Sequence, residues 1–225
     1  MKNKTRKFSC SDSKLLEFAS TVASFLPDDI ADFTAFDSTF GQPTIDGLQA
    51  ALTDAGATKP DNVVIDEMAE LTNTVTQKME DCREGYRTVA YFVDKVFKNK
   101  KDIQKQFGLK DFRKSRKSPA RMIVFMRSLA ETTIKYLEDL IAGGMNENEA
   151  ILLPTLHQKL FDAKNNQEIY KKQRGKFTQE RIEKLNLLFG ELTPISKAAR
   201  KVYADNPAQL AKYVLPGPGT KDGDE

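Results

Sequence analysis

The chain offers one histidine and two cysteines, so little of it can serve nucleophilic or metal chemistry. His157 has Pro154 three residues before it, and the Glu-x-x-His pattern by which helical bundles hold paired metal ions is therefore absent. It falls between Leu153 and Leu160 at helical spacing, the place of a core or boundary imidazole. A Ser-His-Asp or Cys-His arrangement would need a nucleophile beside His157, and no spacing identifies one. Cys82 lies on an apolar stripe, where a thiol acts as a small hydrophobe with a raised pKa. Cys10 belongs to a terminal segment expected to be exposed, and it has no resolving partner. The two are far apart and form no CxxC, which speaks against a disulfide framework or a zinc cluster. Asp66, Glu67 and Glu70 share part of one helix flank and read as a solvated face. The tail segment GPGTKDG lacks the GxxxxGK[ST] spacing of a phosphate loop. The expectation is a protein that is not an enzyme, with no catalytic residue, no cofactor and no metal.

Charge is the one chemical signal above background. Residues 95–127 hold twelve lysines and arginines against two aspartates, a net charge of +10, whereas residues 28–84 carry −10. Cations at this density neutralise phosphates and release counterions, giving binding indifferent to nucleotide sequence. The candidate polyanion-binding residues are Lys110, Arg113, Lys114, Arg116, Lys117 and Arg121. The competing expectation is that the acidic block around Asp66, Glu67 and Glu70 neutralises them within the molecule or across a dimer.

These residues must be positioned by helices, because helical periodicity runs through nearly the whole chain and no stretch alternates as a strand. From Asp61 to Lys98 the steps of three and four give Ile65, Met68, Thr72, Val75, Met79, Cys82, Tyr86, Val89, Val93 and Val96, of which only Thr72 is polar. Pro60 and Asp61 supply the start of that helix. Ahead of it lie a stripe of Leu15, Phe18, Val22 and Phe25, then Phe33, Phe36 and Phe40, and a short helix after GQPT that ends near Gly56. Ser118 and Pro119 open a later helix that Gly143 and Gly144 close. Asn146 and Glu149 have capping-box spacing, Pro154 and Pro194 are expected to bend or interrupt the helices they sit in, and Thr178 reads as a cap.

Two segments, KVFKNKKDIQKQFGL and KVYADNPAQLAKYVL, repeat a long-helix end, a short break and a mini-helix. A shift of 106 residues places Met79 on Leu185, Cys82 on Leu188, Val89 on Ile195, Val96 on Val202 and Phe97 on Tyr203. With one extra residue in the second break, Ile103 falls on Leu210 and Phe107 on Val214. Each half then reads long helix, shorter helix, long helix, mini-helix. The fold class is all-α: a helical bundle of two similar units from an internal duplication with a pseudo-twofold relation. The expected divisions are a flexible N-terminus at 1–10, a first unit at 11–109, a basic connection at 110–117, a second unit at 118–215 and a disordered tail at 216–225.

The stretches ADFTAFDSTF, YFVDKVFKNKKDIQKQFGLKDFRKSRKSPARMIVFM and TQERIEKLN resemble a family of uncharacterised all-helical bacterial proteins of the Bacteroidetes type, over roughly residues 15–215. The resemblance implies a helical fold and a bacterial source, and it carries over no catalytic or ligand residue.

A signal-peptide core and a membrane span are both missing from the pattern, so the expectation is a cytoplasmic protein. Its expected role is that of a non-catalytic helical interaction or assembly protein, with self-association or a protein partner first and nucleic acid second. The alternative is a polyanion-binding accessory protein acting through residues 95–127.

Overall fold

A computed structural model describes residues 5–218, and every element among them is a helix. In chain order these are α1 (Asp12–Phe36), α2 (Gln42–Gly56), α3 (Asp61–Val96), α4 (Lys101–Gln106), α5 (Phe112–Ser115), α6 (Pro119–Lys135), α7 (Leu137–Ala142), α8 (Glu147–Val202) and α9 (Pro207–Ala211). The all-α expectation is met. Residues 1–4 of the expected flexible N-terminus and 219–225 of the expected disordered tail lie outside the described residues.

Two compact units divide the chain, and they are not consecutive. A terminal unit takes residues 5–61 together with 174–218, and a central unit takes 62–173. These units do not follow the expected division at 110–117, because α3 packs with helices of the second half of the sequence and the C-terminal part of α8 packs with helices of the first. In the central unit, Val75, Met79, Cys82, Val89 and Val93 of α3 share one core with Met122, Met126 and Leu129 of α6 and Leu153 and Leu160 of α8. In the terminal unit, Leu185, Leu188, Leu192 and Ile195 of α8 share another with Leu15, Val22, Leu26 and Phe33 of α1 and Leu48 of α2.

Several local expectations are corrected by the packing. Ile65 is exposed and Val64 is buried instead, because the first turns of α3 follow a different alternation of three and four than the turns after Val75. Phe36 and Phe25 are exposed, while Leu26 and Phe33 take the core side of α1. The helix opened by Pro119 breaks at Tyr136 before it reaches Gly143. Neither Pro154, Pro194 nor the polar run before Phe177 interrupts α8, which is continuous for 56 residues. Thr178 is no cap there, and its hydroxyl donates to the Arg174 carbonyl within the helix. That run still has an inward side. Gln167 is buried, donates to Thr72 Oγ1 at 3.0 Å and accepts from Lys164 Nζ at 2.7 Å, which also accounts for the one polar position of the α3 stripe.

Cys82 is buried as expected, with burial pushing its pKa up to about 12 and its thiol directed at the Leu156 carbonyl. Cys10 corrects its expectation, because it too is buried and its pKa is raised, chiefly by that burial. Residues 5–10 are held to α8: Asn186 accepts from the Lys7 N–H at 2.8 Å and donates to the Thr5 carbonyl at 3.0 Å, and Phe8 packs on Phe189.

The two breaks have the same length, with four residues between α3 and α4 and four between α8 and α9. The one-residue insertion expected in the second break is absent. Counted from the ends of α3 and α8, Phe107 and Tyr213 stand at the same distance and both are buried, whereas Val214 is exposed.

Candidate anion-binding cleft

The basic stretch of the central unit is an ordered arm. It begins where α3 ends and Phe97, Phe107 and Tyr136 form a layer of rings, with centroid separations of 5.5, 5.7 and 6.1 Å. That layer fixes α4, and Gln106 Oε1 accepts from both Lys135 Nζ (2.9 Å) and the Tyr136 hydroxyl (3.1 Å). The chain then turns at Gly108, whose φ of 65° lies in the left-handed region that favours glycine. A Cβ at this position would also stand 3.2 Å from the Phe125 ring.

Past that turn, Phe112 stacks on Tyr86 at 3.6 Å, and the Ser115 hydroxyl donates to the Asp111 carbonyl. Arg83 Nη2 donates to the Arg116 carbonyl at 2.7 Å. Residues 110–117, read in the sequence as a connection, are thus pinned to α3 through the Phe112–Tyr86 stack and the hydrogen bond from the Arg83 side chain to the Arg116 carbonyl. The signal for this was present in Phe107 and Phe112, which a purely basic reading passes over.

On the outside of this arm Lys110, Arg113, Lys114, Arg116, Lys117 and Arg121 are all exposed. Among the described residues none of the six has an acidic partner within 4.0 Å. The acidic residues weighed as their partners are engaged elsewhere or stand apart. Glu67 accepts from the Tyr170 hydroxyl, and no ion pair joins Asp66 or Glu70 to the basic arm.

A cleft of about 760 Å³ opens beside the arm between α4, α5 and α6. It is lined by Lys105, Lys114 and Arg121, which are exposed, and by Phe107, Phe125 and Leu129, which are buried. The structure therefore brings together two of the six candidates at the cleft and leaves Lys110, Arg113, Arg116 and Lys117 on the adjoining surface. Lys105 was not singled out in the sequence. Its membership of the basic stretch was visible, but its convergence with Lys114 and Arg121 depends on the turn at Gly108.

Other chemistry-bearing side chains do not assemble. His157 is half-buried beside Phe161, its pKa lowered chiefly by burial and then by Arg127, and its Nε2 has no hydrogen-bond partner. No group of three or more His, Cys, Asp or Glu side chains is disposed to hold a metal ion among the described residues. Within the same residues no helix is long and apolar enough to cross a membrane. No protein-family model, curated protein or solved structure matches the chain.

Proposed function

We propose that this is a non-catalytic binding protein whose working surface is the basic face of the central unit and whose partner is a polyanion of the nucleic-acid kind. The observation that carries the reading is that all six candidate cations are exposed and, among the described residues, have no acidic partner. Internal neutralisation would have used them up. A cytoplasmic location and the bacterial family of the resemblance belong to the same reading. The test is fluorescence anisotropy of labelled duplex and single strand at about 50 and 200 mM salt, where phosphate neutralisation makes affinity fall steeply. The double variant Arg113→Ala, Arg116→Ala should weaken binding and flatten the salt slope by up to about two counterions, leaving the helical spectrum unchanged. Absence of binding to either probe at the lower salt eliminates the reading. A salt-sensitive dimer that the same variant loosens would point to the assembly reading, with the acidic block of a second copy as the partner.

An internal duplication goes with this reading, in a form that the consecutive division missed. The rings Phe97, Phe107 and Tyr136 of the central unit have counterparts in Tyr203, Tyr213 and Phe33 of the terminal unit. Phe97 and Phe107 stack at 6.1 Å, Tyr203 and Tyr213 at 6.0 Å, and in each unit a third ring from the other half of the sequence closes the layer. On this basis the first half supplies α1 and α2 to the terminal unit and α3 and α4 to the central one, while the second half supplies α6, α7 and the first part of α8 to the central unit and the last part of α8 with α9 to the terminal one.

A further inference from the structure

Resting on the reading of the basic face as a polyanion surface, we infer that the cleft between α4, α5 and α6 receives one unpaired nucleotide of a single strand. Its base lies against Val124 and Phe125, and the flanking phosphates lie on Lys105, Lys114 and Arg121.

Size and chemistry both select this occupant. A volume of about 760 Å³ is far more than a phosphate needs and falls in the range of about 300 to 1,000 Å³ typical of small-molecule sites. The lining sets exposed cations, Lys105, Lys114 and Arg121, beside exposed Val124 and the edge of Phe125, which pairs charge with apolar surface as a nucleotide does. Duplex DNA keeps its bases stacked and would meet the cations without using the apolar surface.

An acidic amphipathic helix is the other polymer with both features, but it docks through a row of anchors at i, i+3, i+4 and i+7. The lining offers one exposed large hydrophobic side chain, Val124 at 68% exposure, enough for one flat ring and not for a row. Asp111, the only carboxylate in the lining, repels phosphate from its own side of the cleft and offers an acceptor to the N–H groups on a base edge.

The experiment uses the full chain and four probes: labelled oligothymidylate of about 12 nucleotides, an abasic strand of equal length, a duplex of equal length, and polyglutamate, all at about 50 mM salt. Oligothymidylate should bind roughly fivefold or more tighter than the abasic strand, the difference being the stacked base. Val124→Ser, at an exposed position, should bring oligothymidylate down to the abasic value and leave the abasic value unchanged, while Arg121→Ala should weaken both. Equal affinity for oligothymidylate, abasic strand and duplex overturns the cleft inference and leaves the surface reading standing. Binding to polyglutamate alone, or to none of the four, overturns both.

Discussion

Arg181 is the residue whose surroundings depart most from its type. It is buried in the terminal unit, where its guanidinium meets Asp61, lies 3.1 Å from Asp12 through Nε, and donates to the Lys59 carbonyl. One cation thereby ties the start of α1 and the segment before α3 to α8. A buried arginine needs such partners because its charge cannot be shed, and removing it would take this partner from Asp61 and leave Asp12 to Arg6 alone. Arg181→Ala should destabilise the protein by about 2 to 4 kcal/mol, the lower part of that range reflecting the exposure of Asp61. Urea denaturation at neutral pH would measure it, and a change under about 0.5 kcal/mol would show the cluster to be a surface pair. The pH dependence has a definite sign. Hydrogen bonding to Arg181 holds the Asp61 carboxyl below its usual range, so its contribution is complete above the ordinary aspartate pKa and is lost as pH falls through the lower folded value. Asp61→Asn should therefore be less stable than the wild type at neutral pH and lose less on acidification, with the two curves converging at low pH.

At the scale of the element, helix ends and close approaches decide the packing. Lys95 Nζ caps the α7 end by donating to the Gly143 carbonyl at 2.7 Å. A Cβ at Gly143 would lie 2.2 Å from Val96 Cγ2, and a β-branched side chain near a helix end has few rotamers with which to retreat. Gly143→Ala should cost about 1 to 3 kcal/mol, and Val96→Ala in the same chain should recover much of it. A denaturation double-mutant cycle would show that coupling, and strict additivity would mean that the approach is relieved by backbone movement. Sequence pattern reads such elements unevenly. Apolar stripes and start signals located α2, α3 and the opening of α6, because Pro60, Asp61, Ser118 and Pro119 act locally. Continuity of α8 was not legible, since Pro154 and Pro194 are local breakers that the burial of Leu153, Leu156, Leu192 and Ile195 overrides. The cleft was half legible. Its charges stand in one run of sequence, but their convergence requires Phe107, Gly108 and Phe125 to set the turn.

At the scale of the whole molecule, the division into units and the placement of charge are separate matters. The basic stretch lies entirely within the central unit, so its function can be tested without reference to the terminal one. Which segments share a unit has its own test, because two layers of rings hold α1 and α6 in different ways. Phe33 meets Tyr203 at 5.8 Å and Tyr213 at 5.1 Å, while the hydroxyls of those tyrosines donate to Asp32 and Asp29 of the same helix. Burial and these carboxylate contacts raise both phenol pKa values, so the bonds persist through the neutral range. Tyr203→Ala removes a buried ring, its contacts with Phe33 and Tyr213, and the hydroxyl's bond to Asp32 of α1, at a cost of about 3 to 5 kcal/mol. Amide hydrogen exchange in this variant should quicken across α1 and α9 and stay slow in α4 and α6. Phe97→Ala should do the reverse, quickening α4 and α6 through the loss of its ring contacts with Phe107 and Tyr136. If Tyr203→Ala instead loosened α6 and spared α1, the units would be the consecutive halves of the chain and the exchanged arrangement would fail.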